Sequence, residues 1–361
     1  MQIHKGLDGV VVDTTAISLV DGARGQLSYR GHDIGTLVRR PFAEVAALVA
    51  TGSFDRDFGS RLLEHSRLTP REEALVLALP EDTHPMHVLQ GVTPLLDRSD
   101  AFADYGAAAQ GFVAAARIPA LIATHLQRAS VAEVRADDPI AQFLAQIGAP
   151  DHAAARQAFE AAQILQLEHG FNAGTFTARV VASTLAPVEN AISAAFGALH
   201  GVLHGGADQA ALETADRVGT PAAAAAFVDQ CLADGERVMG MGHREYKVVD
   251  PRAVHLKGLA GRLAAGTEHE VTFQTLEAIE ARFSERMAEQ GKDLYANVEF
   301  YKGLVFRVLG LPPRFFTSLF GMARVYGYVA HFIESRQDNR LVRPQAHYVG
   351  PAVEAPQEAV A

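Results

Sequence analysis

Between residues 272 and 290 apolar side chains recur at intervals of three and four: Phe273, Leu276, Ile279, Phe283 and Met287. That spacing gathers them on one face of a helix. The same period predicts helices over 41–50, 71–79, 85–96, 101–116, 120–128 and 140–147. It continues through 153–169, 175–185, 187–200, 208–218, 222–232 and 252–265, and closes with 300–309 and 313–334. Pro41 and Pro187 stand where helices open, and Gly52 and Gly170 where they end. Only residues 8–31 read as strand. Val10-Val11-Val12 and Ile17-Ser18-Leu19-Val20 precede the turn 21–25, and Gln26-Leu27-Ser28-Tyr29 follows it, which predicts a hairpin. The chain is therefore mostly α, with a small N-terminal β-hairpin. Glycines 201, 205, 206, 240 and 242 fall between helices, where a site is built. There is no repeat of fixed period, and the Pro-, Ala- and Glu-rich stretch from Pro351 is expected to fray.

Composition narrows the function. The 361 residues suffice for two domains or one large domain with a lobe. A net charge of −10 argues against nucleic acid as a partner. Cys231 is the sole cysteine, which excludes an internal disulfide and a cysteine metal cage. The richest apolar run, 107–124, is interrupted by Gln110, Arg117 and Pro119, so no membrane span is expected. The N-terminus has no basic-then-apolar leader, and a cytoplasmic location is expected.

The candidate chemistry centres on V-M-G-M-G-H-R-E-Y-K-V-V-D-P-R, residues 238–252. Gly240 and Gly242 let the backbone approach a ligand, His243 can bond a carbonyl, and Arg244, Lys247 and Arg252 can hold anions. His204, in L-H-G-G-A-D before a helix, faces the positive end of a helix dipole and is read as a neutral hydrogen-bond donor, or simply as a cap. His169 and Asn172, in E-H-G-F-N, either reach a shared ligand or cap a helix. Glu299, among apolar and aromatic neighbours, reads as a base with a raised pKa or as a first-turn glutamate. Arg324, in F-G-M-A-R on an apolar helix, needs an anionic partner. His200 and His204 stand four apart, but no Glu follows the first and no third ligand is placed, so no metal is expected.

In chain order, E-H-G-F-N, L-H-G-G-A, G-M-G-H with D-P-R, N-V-E, F-G-M-A-R and the R-P of Arg343-Pro344 resemble the citrate synthase family. G-L-D-G-V-V, Y-R-G-H-D-I, His84-Pro85-Met86 and the closing H-Y-V-G-P extend the resemblance over the whole chain, in its compact form. The resemblance implies a two-domain, all-helical homodimer. A large domain of 1–209, to which 313–361 returns, would be closed over by a small domain of 210–312. It implies condensation of acetyl-CoA with oxaloacetate and water to citrate and CoA, with no cofactor beyond these substrates. His204 would stabilise the enol, His243 polarise the oxaloacetate carbonyl and Glu299 remove the proton. His169, Asn172, Arg252 and Arg324 would bind oxaloacetate, with Arg343 lent by the partner subunit. Val238, Met239, Gly240, Met241, Gly242 and Lys247 would hold CoA. Alternatives are 2-methylcitrate synthase, using propionyl-CoA, and a family member that binds in order to regulate. Several positions depart from the family pattern. Glu299 replaces the usual Asp, Asp208 the usual Asn and Gly174 the Ser of its run, and Met241 and Glu245 are atypical around His243.

Overall fold

The computed structural model describes residues 3–352 except 132, 133, 135, 151 and 244, so Arg244 lies outside the described residues, as does the tail from 353. Strands β1 (Ser18–Asp21), β2 (Gln26–Tyr29) and β3 (His32–Asp33) form an antiparallel sheet in chain order, with Ser18 opposite Tyr29 and Ser28 opposite Asp33. Leu27 and Tyr29 turn into the core. The expected strand at Val10–Val12 does not form: Val11 and Val12 are exposed and pair with nothing in the sheet.

The first half of the chain carries α1 (Ile34–Leu37), α2 (Phe42–Thr51), α3 (Phe58–Glu64), α4 (Pro70–Ala78), α5 (Pro85–Val92) and α6 (Ala109–Gln127). Next come α7 (Pro139–Gln146), α8 (Ala153–Ile164), α9 (Ala173–Ser183) and α10 (Val188–Leu199). The second half adds α11 (Ala207–Val218), α12 (Ala224–Ala233), α13 (Pro251–Ala264), α14 (Glu270–Glu289), α15 (Glu299–Val308) and α16 (Phe316–Gln337). The short α1 and α3 escaped the periodicity, being about one or two turns long.

Two expected boundaries shift, both for tertiary reasons. The predicted helices 101–116 and 120–128 are one helix, α6, running through Pro119 and preceded by a 3₁₀ stretch over Ala103–Ala108. Proline removes one backbone bond, but the helix is buried on nearly all sides from Gln110 to His125. Together with the 3₁₀ stretch, Ala103–Gln127 is long and apolar enough to cross a membrane, yet 78% of its apolar window is packed inside the fold. The predicted helix 153–169 stops at Ile164. Beyond it, side chains take over the carbonyls: Tyr29 Oη donates to Ile164 O at 3.1 Å and Arg324 Nε to Gln166 O at 2.6 Å. The released segment, closed by Gly170 in the left-handed region, carries Glu168 and His169 inward.

The centre is α16, whose residues are all buried from Phe316 to Phe332. Against it pack α2, α6, α9 and α10. Helices α11 to α15 pack on one another and meet the rest mainly through α8, with smaller contacts to α1 and α16. The candidate residues lie where these two groups meet.

Candidate active site

The Gly240–Gly242 segment is tied to the chain just before α15. Asn297 N donates to Gly240 O at 2.9 Å and Gly242 N to Tyr295 O at 2.8 Å, with Met241 bridged to Ala296. Both glycines have φ near +80°, and a Cβ on Gly240 would stand 2.7 Å from the Phe300 ring. Only glycine suits that contact at that φ. Asn297 adds Nδ2 to Gly242 O at 3.1 Å and accepts Glu299 N at 3.0 Å. His243 and Glu299, 56 residues apart in sequence, are thereby held in one frame.

His243 Nδ1 accepts the backbone N–H groups of Glu245 and Tyr246, at 3.0 and 3.2 Å. A neutral imidazole accepting at Nδ1 carries its proton on Nε2. Arg252 Nη2 lies 3.3 Å from that Nε2. Both nitrogens can donate, so an oxygen acceptor that came between them would be held by both. Burial, then Arg252, pulls the His243 pKa down to about 4, so the ring is neutral at pH 7. His169 stands edge-on to it, ring centroids 5.4 Å apart, and its Nε2 meets Tyr246 Oη at 3.1 Å. Burial, with Arg252 and His243 beside it, lowers the His169 pKa well below the usual range.

Arg252 is not a free cation. Asp250, the N-cap of α13, accepts its Nε at 3.0 Å and its Nη2 at 2.8 Å, and also Val298 N at 3.2 Å. Arg324 differs. It is 1% exposed, its Nε is held by Gln166 O, and among the described residues no carboxylate lies within ion-pair distance. Its charge lowers the pKa of the buried Glu168 carboxylate from a distance, but with no direct ion pair the guanidinium can still take an anionic ligand. Arg343 is exposed in this chain, donates to Pro344 O and, among the described residues, does not join the others.

His204 sits in the turn between α10 and α11. Its Nε2 meets Asn172 Oδ1 at 3.2 Å, and that same oxygen caps α9 by accepting Thr175 N at 3.1 Å. Asn172 is therefore a helix cap and a rest for His204. Burial and then Arg324 lower the His204 pKa to about 4, which keeps the ring neutral as expected. Phe320 ties the groups together: its ring centroid is 6.4 Å from that of His204 and 4.7 Å from both Arg324 Cζ and Lys302 Nζ.

Glu299 opens α15 and is 8% exposed. Its Oε2 accepts Lys302 Nζ at 2.5 Å, and that ammonium, fully buried, lies 3.0 Å from Asp208 Oδ2. The Asp208 contact is an ion pair off the hydrogen-bond axis, since no hydrogen bond forms at that oxygen. Burial raises the Glu299 pKa; Lys302 opposes this and Asp208 adds to it.

The sequence profile of the family described as "Citrate synthase, C-terminal domain" matches residues 6–345. A citrate synthase from Synechocystis sp. is 35% identical over 96% of this chain and 90% of its own length. A 2-methylcitrate synthase from Mycobacterium tuberculosis is 34% identical, over 96% and 91%. This chain belongs to the citrate synthase family. Among solved structures, the ternary complex of carboxymethyl coenzyme A and oxaloacetate with the Thermoplasma acidophilum citrate synthase superposes with TM-score 0.88. It is 27% identical and covers 98% of both chains.

Within a citrate synthase family chain the departures now have surroundings. Asp208 does not face the anionic site unopposed, because Lys302 stands against it. Gly174 leaves room for Tyr328: a Cβ there would stand 2.4 Å from the Tyr328 hydroxyl. Glu245 is exposed and serves His243 through its backbone N–H. Val238 and Gly240 are buried, Met239, Met241 and Gly242 half-buried, and Lys247 exposed, its N–H donating to Gly22 O at 2.9 Å. His200 stacks on His84 at 4.3 Å instead of joining His204.

Sequence reasoning passed over Lys302, Tyr246, Asp250 and Phe320. Lys302 had a usable signal: a lysine inside F-Y-K-G-L-V-F, three residues after a glutamate, is a buried cation with an i,i+3 partner. Also passed over was the network behind His169. There Glu168 Oε1 accepts His331 Nε2 at 3.0 Å and Ser18 Oγ at 3.2 Å, while Arg179 Nη1 meets His331 Nδ1 at 3.1 Å.

Proposed function

We propose that this protein condenses an acyl-CoA with oxaloacetate and water, giving citrate from acetyl-CoA, and releases CoA. The observation that carries the reading is the meeting of two neutral histidines and a buried arginine, Arg324, which has no direct ion pair among the described residues, with a buried carboxylate, Glu299. In the proposed path the free oxygen of Glu299 takes the acyl α-proton. His204 Nε2–H exchanges Asn172 for the thioester oxygen and holds the enol. The enol carbon bonds to the ketone carbon of oxaloacetate, whose oxygen takes a proton from the His243 side. Arg324 and Arg252 hold the carboxylates, with His169 beside them. Water then cleaves the thioester, leaving a carboxylate and the CoA thiol. The glycine segment 238–242 and Lys247 are proposed to hold CoA, and closure of α11–α15 over the substrates to exclude water.

A homodimer working in the cytoplasm belongs to the same proposal. Among the described residues Arg343 makes no site contact in its own chain, and Leu341, Tyr348 and Val349 beside it are exposed. A tail of that kind suits insertion into a partner copy.

The test is thiol release with oxaloacetate, comparing acetyl-CoA with propionyl-CoA at equal concentration. The expectation is faster turnover of acetyl-CoA. Preference for propionyl-CoA would make the enzyme a 2-methylcitrate synthase, like the relative that is 34% identical against 35% for the citrate synthase. No release from either, with oxaloacetate still bound, would leave only a binding role.

A further inference from the structure

We propose that Lys302, backed by Asp208, is a positioning residue for Glu299: its buried ammonium binds one carboxylate oxygen and leaves the other free for the substrate proton. The inference rests on the acyl-CoA condensation proposed above. Lys302 is 0% exposed, a placement lysine almost never takes without a partner. Its Nζ reaches Glu299 Oε2 at 2.5 Å and Asp208 Oδ2 at 3.0 Å, so one cation lies between two buried carboxylates. Glu299 Oε1 has no protein partner among the described residues, and it is not sealed off. The ammonium also lies over the Phe320 ring, which Arg324 and His204 flank. The cation that fixes the base thus shares the Phe320 ring with the group proposed to hold the enol.

This arrangement explains two departures at once. Glu299 and Lys302 are i,i+3 on one helix, and the longer side chain spans that spacing. Asp208, alone a liability next to an anionic substrate, becomes the second counter-ion of Lys302. The charged groups facing Glu299 are Lys302 on its own helix, Asp208 at the start of α11, and Arg252 with Asp250 on α13. Across Phe320 lie Arg324 on α16 and His204.

The test combines Lys302→Met, Asp208→Asn and the double variant with two readouts. The first is kcat against pH. Removing the cation raises the Glu299 pKa, so the acid limb of Lys302→Met should move up by about one to three pH units. Removing Asp208 lowers that pKa and should move the limb down. The double variant should fall between them, with KM for both substrates little changed. The second readout is the carbon-13 titration of the Glu299 carboxyl, assigned by its loss in Glu299→Gln, and it needs no turnover. A limb and a titration unchanged in Lys302→Met would overturn the inference, as would a uniform loss of kcat at every pH with no shift. If Lys302→Met fails to fold, Asp208→Asn keeps the Lys–Glu pair and decides by the downward shift alone. If the wild type turns over no acyl-CoA, the proposed reaction falls, while the titration still decides the pairing.

Discussion

At the residue scale, the site depends on which protonation state each group keeps. His204 and His243 have folded pKa values of about 4, below an ordinary 6.5, because burial and an arginine disfavour their cations. The unfolded chain therefore binds protons that the folded one refuses as pH falls below 6.5. Their contribution to stability is complete above pH 6.5 and drains away toward pH 4. Urea denaturation across that window should show a loss that is smaller in a His204→Gln, His243→Gln double variant; equal slopes would contradict the placement. Glu299→Gln removes the proposed base while keeping its size. Turnover should fall by about 10²- to 10⁴-fold with oxaloacetate binding retained, and calorimetry beside a thiol assay separates the two. His204 and His243 were legible as candidates from their glycine-rich settings. Lys302 was legible only as a lysine in an apolar run three residues after a glutamate; its second partner, Asp208, depends on which helix covers it.

At the scale of elements, the hairpin turn holds the His243 loop. Lys247 N donates to Gly22 O, and a Cβ on Gly22 would fall 1.9 Å from the Glu245 carbonyl oxygen. Gly22→Ala must push residues 245–249 away, and His243 takes its Nδ1 partners from that loop. We expect kcat/KM for oxaloacetate to drop by about tenfold or more, since a misplacement of about 1 Å is enough for that. Steady-state kinetics with an unchanged melting temperature would fit this; unchanged kinetics would show that the loop finds its place without the hairpin. Periodicity located the long helices well. It failed where packing overrode local rules, splitting α6 at Pro119 and extending α8 past Ile164, where Tyr29 and Arg324 capture the carbonyls.

At the scale of the whole molecule, a shared site makes a sharp demand on assembly. If Arg343 serves the partner, Glu299→Gln and Arg343→Ala chains should each be nearly inactive as homodimers. Mixed after unfolding and refolding, they should regain roughly a quarter of wild-type activity, because half the dimers then hold one intact site. Failure to regain activity, in a sample that sediments as a dimer, would place Arg343 outside the site. The sequence by itself determined the helical class, the hairpin and the ordered motifs that mark the family, because these rest on local period, turn chemistry and residue identity. It also named the histidines, the arginines and the glutamate. Only the tertiary structure decided how those charges are apportioned. Arg252 is taken up by Asp250, Arg324 is left without a direct ion pair among the described residues, and Glu299 shares Lys302 with Asp208. Asp208 and Lys302 are 94 residues apart in the chain and meet only because α11 packs on α15. Pairing across such a distance is set by packing, which no local pattern encodes.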